Sequence, residues 1–322
     1  MKTALVVGGA GFIGSHLLAA LRASGEYDRL VSADLAEPRF AVDGVDYRHF
    51  DIREPLPVDF CPDVAEIYNL AAVHVTPGHE DREYFWTNVL AATHVCAFAR
   101  QTGCRKLVFA SSISVYGPSE EPKSEAAAPE PESAYGMSKL AAEKIHQDWA
   151  AEHEDRKLVI VRPAVVYGRG ERGNFTRLAR LLRKRRFVYP GRKDTIKSCG
   201  YVEDLVSSFS FMLARPERSI TYNFAHVARP TLEDIAQALS KVGGYAAPRV
   251  VVPTGPMLLA AWGFEVLSAV GLRTSINRER ILKLTRSTNI VPQVLQDMGF
   301  VYRFTLEQSL QNWKTTSGGN FI

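Results

Sequence analysis

Residues 3–24 read TALVVGGAGFIGSHLLAALRAS. The first five form a short β-rich run, and from Phe12 onward the apolar positions recur with helical spacing. Between the two lies GGAGFIG. Gly8, Gly11 and Gly14 are spaced GxxGxxG, and Gly9, Gly11 and Gly14 also satisfy GxGxxG. Such a turn needs glycine because the backbone must reverse tightly and approach a pyrophosphate with no Cβ in the way. The helix opening at Phe12 and Ile13 then offers free N–H groups and the positive end of its dipole to the phosphates. Asp34 stands 20 residues beyond Gly14, at the end of a second strand-like run, RLVSAD. A carboxylate there suits the adenosine ribose hydroxyls and repels a 2′-phosphate, so the stretch predicts NAD rather than NADP.

Outward from this stretch, strands and helices alternate. Strand-like runs fall at 46–51, 66–72, 106–112 and 157–163, with helical runs at 83–101 and about 134–153. This alternation predicts an α/β fold of Rossmann type, a doubly wound parallel sheet with helices on both faces. PSEEPKSEAAAPEPES (118–133) predicts an exposed loop between a strand and a helix. PMLLAAWGFEVLSAVG (256–271) is interrupted by Glu265 and is shorter than the roughly 20 residues of a bilayer span. It reads as a core or lid helix, with a membrane-surface or partner-binding helix as the alternative.

Composition narrows the class. With 322 residues, 46% apolar and 23% charged, the chain can bury an ample core. A net charge of +4 permits anionic ligands but does not read as a nucleic-acid-binding protein. Cys61, Cys96, Cys104 and Cys199 show no metal spacing and no disulfide framework, which suits a reducing cytoplasm. The chain enters its first motif at once, so no signal peptide is expected.

Two further segments carry chemistry. In SAYGMSKLAAEK (133–144), Tyr135 and Lys139 sit at i and i+4 on one helix face. An ammonium beside a phenol favours the phenolate, so Lys139 is expected to lower the tyrosine pKa and ready it for proton exchange with a substrate hydroxyl. FASSISVYG (109–117) crowds serines at 111, 112 and 114 after an apolar run, where turns and caps are their usual use.

Together GGAGFIG, YNLAA (68–72), TNV (87–89), FASSISVYG, YGMSK, RPAVVYGRGE (162–171) and GYVEDL (200–205) resemble the extended short-chain dehydrogenase/reductases, in the nucleotide-sugar epimerase/dehydratase group. Val7 replaces a threonine common before the glycines. The resemblance implies that Ser112 hydrogen-bonds the reacting hydroxyl or carbonyl, with Tyr135 and Lys139 catalytic and also touching the cofactor. Asn88 would support a proton relay to the lysine. Ser111 would face the other side of the strand. Asp51 and Ile52 would contact adenine, Ala71 and Ala72 would line the cofactor, and Arg162–Pro163 would end a strand near the nicotinamide. Val73, His74, Asn174, Lys197 and Arg280 are substrate candidates, Lys197 standing where many members have an arginine. Dehydratases carry an Asp–Glu pair after the catalytic Ser/Thr. The pair is Ile113–Ser114 in this chain, which argues against dehydration.

The resemblance also implies a cofactor domain over 1–170, with 200–228 packing back on it, and a smaller C-terminal substrate-binding domain over 171–322. Apolar residues on more than one face of the 83–101 and 134–153 helices predict a homodimer through them. The cations of GNFTRLARLLRKRRF (173–187) read mostly as a solvated helix face, one or two steering an anionic substrate. The expected activity is NAD-dependent C4 epimerisation of a nucleotide sugar, without nucleic-acid binding or membrane insertion. The alternatives are a 4-keto-sugar reductase, a non-catalytic dinucleotide-binding regulator, and an oxidoreductase for steroid-like or phenolic substrates.

Overall fold

In the computed structural model, which describes residues 2–74, 78–259 and 285–321, every residue of strand β1 (Thr3–Val7) is buried. A strand apolar on both faces needs cover on both, which is the environment of a central parallel strand. β1 lies between β2 (Arg29–Asp34) and β4 (Val64–Asn69). Beyond β2 comes β3 (Val45–His49). Beyond β4 come β5 (Lys106–Ala110), β7 (Lys157–Pro163) and β11 (Ser219–Phe224), giving a seven-stranded sheet in the order β3-β2-β1-β4-β5-β7-β11. All its pairings are parallel. The strand order reverses between β1 and β4, and such a switch point leaves a crevice outside the carboxyl ends of the strands.

Alternation of side chains divides the core. Leu5, Val7, Ile67, Leu107, Phe109 and Ile160 face one side, where α2 (Asp81–Thr102) and α3 (Ala134–Ala151) cover them with Ala92, Val95, Phe98, Ala142 and Trp149. Ala4, Val6, Tyr68, Val108 and Val161 face the other, under Leu17 and Leu18 of α1 (Phe12–Ser24) and Leu205 and Phe209 of α5 (Val202–Leu213). Each fully buried Leu, Val, Ile or Phe contributes about 1.5–3 kcal/mol. A third cluster joins α4 (Asn174–Arg183) and α6 (Leu232–Gly243) to the helix Leu306–Thr316 through Phe175, Leu182, Leu239 and Trp313.

Short parallel pairs finish the described part: β6 (Ser119–Lys123) with β13 (Thr288–Ile290), β8 (Val165–Tyr167) with β10 (Cys199–Tyr201), and β9 (Tyr189–Pro190) with β12 (Val251–Val252). The first of these places a short strand in the segment 118–133, against the expectation of a loop; the segment is largely exposed, as expected. Glu125 accepts backbone N–H bonds from Asn223 at 2.8 Å, Gln293 at 3.1 Å and Val294 at 3.2 Å. Glu132 pairs with Arg286 and Glu120 with Arg192. The acidic segment is thus a strap that holds the C-terminal part of the chain. Among the described residues no helix is long and apolar enough to cross a membrane. The helix expected at 256–271 falls mostly on residues 260–284, outside those described, and Arg280 lies there too.

Candidate active site

The crevice begins at the glycine turn. Gly8 has φ +82°, and a Cβ on it would lie 2.6 Å from the Ala71 backbone nitrogen. A Cβ on Gly14 would lie 2.3 Å from the Gly8 carbonyl oxygen. β1, α1 and the end of β4 therefore meet at backbone contact, which only glycine permits. Gly11 is the N-cap of α1, no side chain caps this terminus, and its first turn holds no acidic residue. The Phe12 and Ile13 end of the helix is left open to an anion, and this cradle fits the diphosphate of a dinucleotide. Asp34 closes its side: one carboxylate oxygen accepts the Ala10 N–H at 3.0 Å and the other the Ala36 N–H at 3.0 Å. Ile52 is buried, and Asp51 pairs with Arg53 at 2.6 Å, which holds its carboxyl below the usual range. Ala71 and Ala72 are half-buried just past β4.

The β5 end brings Ser112 and Tyr135 together. Ser112 caps a short turn (Ile113–Tyr116), its Oγ accepting the Ser114 N–H at 3.1 Å and donating to Ser114 Oγ at 3.1 Å. Ser111 turns the other way, its hydroxyl donating to the buried Glu143 carboxylate. Ile113 is buried and no carboxylate stands at 113–114. Tyr135 begins α3, half-buried, its ring edge-on to Tyr84 at 6.1 Å. Desolvation pushes its phenol up to about 12, against the downward pull of the Ser112 hydroxyl beside it. This is the opposite direction from that expected of a lysine-assisted tyrosine. Lys139 shares the helix face, but its Nζ donates to the Ala110 carbonyl at 2.6 Å and lies 4.7 Å from the Phe109 ring centroid. Burial lowers Lys139 to about 7, with Glu143 working upward.

Other expected residues separate from this centre. Asn88 makes no hydrogen bond to Lys139. Its side chain accepts the Val73 N–H at 2.9 Å and donates to the Val73 carbonyl at 3.1 Å and to Ser138 Oγ at 2.9 Å. Ser138 in turn donates to the Tyr135 carbonyl at 2.8 Å, so Asn88 ties the loop after β4 to the start of α3. His74 is exposed beside it. Arg162 points inward: Nε and Nη2 donate to Glu143 at 2.9 and 2.6 Å, and Nη1 donates to Tyr116 at 2.6 Å. Burial works against its charge, but Glu143 outweighs burial and keeps Arg162 protonated. Pro163, the last residue of β7, pairs in register with Phe224. Lys197 donates to the Arg286 carbonyl at 2.6 Å, and burial lowers it to about 8. Asn174 is exposed at the start of α4, whose N-terminus is capped by the buried Glu171, which accepts the Thr176 N–H at 2.9 Å. Glu143 and Ser138 were not singled out from sequence. Glu143 lies four residues after Lys139, so the same i, i+4 spacing could have found it. Nothing local marks Ser138.

Residues 4–225 match the NAD dependent epimerase/dehydratase family. The chain is 26% identical, over 95% of its length and 92% of the relative's, to the N-acetyl-alpha-D-glucosaminyl-diphospho-ditrans,octacis-undecaprenol 4-epimerase of Escherichia coli O157:H7. It superposes with a TM-score of 0.77 on MoeE5 in complex with UDP-glucose and NAD, at 26% identity and 97% coverage of both chains. The fold is also that of a Bacillus cereus UDP-glucuronic acid 4-epimerase in complex with NAD, with a TM-score of 0.75 over 98% of this chain and all of that one, at 21% identity.

Proposed function

The chain belongs to the NAD-dependent epimerase/dehydratase family, extended short-chain dehydrogenase/reductase enzymes with NAD as cofactor, and from that premise we propose that it inverts C4 of a nucleotide sugar. The observation that carries this reading is the pairing of Ser112 and Tyr135 beside the open glycine cradle, with Ile113 and Ser114 where dehydration would need carboxylates. NAD supplies a reversible hydride acceptor and a positive charge when bound. Gly8, Gly11, Phe12, Ile13 and Gly14 hold its diphosphate, Asp34 its adenosine ribose, Asp51 and Ile52 its adenine, and Ala71, Ala72, Arg162 and Pro163 border the rest. Tyr135, ionised to the phenolate against the upward pull of burial, would take the proton of the sugar 4-hydroxyl on Oη and later return it. Ser112 Oγ holds the reacting oxygen. Lys139, which donates to the Ala110 carbonyl in this structure, would be the residue to hold the cofactor ribose. Val73, His74, Asn174 and Lys197 meet the sugar nucleotide.

We also propose a homodimer through α2 and α3. The two helices pack side by side, yet Phe85, Trp86 and Met137 remain 39%, 60% and 45% exposed. Light scattering at micromolar concentration should give twice the chain mass. The activity is tested with UDP-glucose and UDP-N-acetylglucosamine, separately, under catalytic NAD. The 4-epimer should form with no net NADH. Product that forms only from a 4-keto sugar, in proportion to NAD(P)H consumed, would replace this reading with a reductase.

A further inference from the structure

We propose that the segment 177–186 docks the enzyme on an anionic lipid bilayer. It carries Arg177, Arg180, Arg183, Lys184, Arg185 and Arg186, all exposed. None of these six side chains makes an ion pair or hydrogen bond among the described residues. The chain has 39 Lys and Arg against 35 Asp and Glu; without these six the count is 33 against 35. These six are enough to turn the formal charge of the chain from slightly negative to positive.

The fold presents these charges outward. α4 buries Phe175, Thr176, Ala179 and Leu182 and leaves Arg177, Arg180 and Leu181 outside. Arg177, Arg180, Leu181, Lys184 and Arg186 line one open hollow. The helix ends in a Schellman turn: Arg185 N–H bonds the Leu182 carbonyl at 2.9 Å, and Arg186 N–H the Leu181 carbonyl at 2.9 Å. The residue after the cap in such a turn adopts the left-handed conformation and is usually glycine. In this chain it is Arg185, at φ +55°. A cation stands where glycine would fold more easily.

Aliphatic side chains accompany the cations. Leu181 is 41% exposed within the segment. The Tyr189 N–H bonds the Val250 carbonyl at 2.8 Å, three residues beyond Arg186, so β9 and β12 set Val250 and Val251, 58% and 40% exposed, beside it. Cations with aliphatic neighbours suit lipid phosphates and the acyl boundary. A single-stranded nucleic-acid surface would show exposed aromatic platforms for stacking; the exposed apolar residues of this patch are Leu and Val, and Tyr245, which lines a small pocket with Arg180 and Arg183, is half-buried. The proposal does not depend on the C4 reading, since its test reads lipid binding and not turnover.

The full chain is floated with phosphatidylcholine vesicles, with and without one-third phosphatidylglycerol, at low and near-physiological salt. It should bind the anionic vesicles, ignore the neutral ones, and bind less, but still measurably, at the higher salt. Each basic residue near such a surface adds roughly fivefold to partitioning. Arg180→Gln/Arg183→Gln/Arg186→Gln should therefore lose roughly a hundredfold, with circular dichroism unchanged. Arg185→Gly should lower binding roughly fivefold while raising the melting temperature, a combination that a purely structural arginine would not give. No binding to anionic vesicles overturns the proposal, as does undiminished binding by the triple variant. Self-association or RNA capture that needs the same arginines while vesicles are ignored assigns the surface to another occupant and also overturns it.

Discussion

The floor of the crevice and the outer segment 177–186 treat polar groups in opposite ways. At the floor, Ser112, Lys139, Glu143 and Arg162 are almost fully buried, and each has a named protein partner. In the outer segment six cations stand in solvent with none among the described residues. Buried groups fix geometry and shift protonation, because desolvation is costly and direction matters. Exposed unpaired charges fix nothing within the fold, so their effect lies in what they meet. The acidic strap 118–133 falls between: it is rich in glutamate like a solvated loop, yet Glu120, Glu125, Glu130 and Glu132 all find partners.

If this difference is real, changes at the floor are costly and changes outside it are not. The largest effect is expected at Tyr135. Tyr135→Phe removes the hydroxyl proposed to transfer the proton and should lower turnover by roughly 10²–10⁴-fold, with NAD binding by calorimetry close to wild type. Next comes the Arg162–Glu143 pair. Arg162→Met leaves the buried Glu143 carboxylate with the Ser111 hydroxyl but no cation, and should cost about 3–5 kcal/mol in urea unfolding, whereas Arg162→Met/Glu143→Leu should recover most of it. Equal cost in both variants would mean that the pair contributes by packing and not by charge.

Lys139 gives a smaller, pH-dependent effect. Its folded value, about 7, lies below the ordinary lysine value of 10.5. Between the two the unfolded chain holds a proton that the folded chain lacks, so stability rises with pH across that window, by at most about 1.4 kcal/mol per pH unit. Lys139→Met should flatten the rise in cofactor-free protein; a slope shared by both proteins would assign it elsewhere. Smallest of all, Arg180→Gln/Arg183→Gln/Arg186→Gln should shift stability by no more than about 0.5 kcal/mol and leave turnover of a soluble sugar nucleotide unchanged.

What the sequence made legible was local. The glycine spacing, the strand runs at 3–7, 29–34 and 157–163, and the i, i+4 placement of Tyr135 and Lys139 each need only a few neighbouring residues, and the structure has them where they were expected. What it hid depended on distant partners. β6 exists because residues 288–290 arrive beside it. Lys139 donates to Ala110, and Asn88 bonds Val73 and Ser138, because β5, the loop after β4 and α3 bring those groups within reach from distant parts of the chain. Spacing fixed the shared helix face but not the direction of a flexible side chain. Composition likewise could not tell the strap from a loop, or a solvated basic face from a docking surface.

The central claim is that the crevice oxidises C4 of a sugar and returns the same hydrogen to its opposite face. It is tested most directly by supplying UDP-glucose and UDP-N-acetylglucosamine deuterated at C4 and following the product by mass spectrometry and proton NMR. The account predicts a 4-epimer that keeps its deuterium at C4, and loss of that product in Tyr135→Phe. A 4-epimer that has exchanged its C4 deuterium for solvent hydrogen would contradict it.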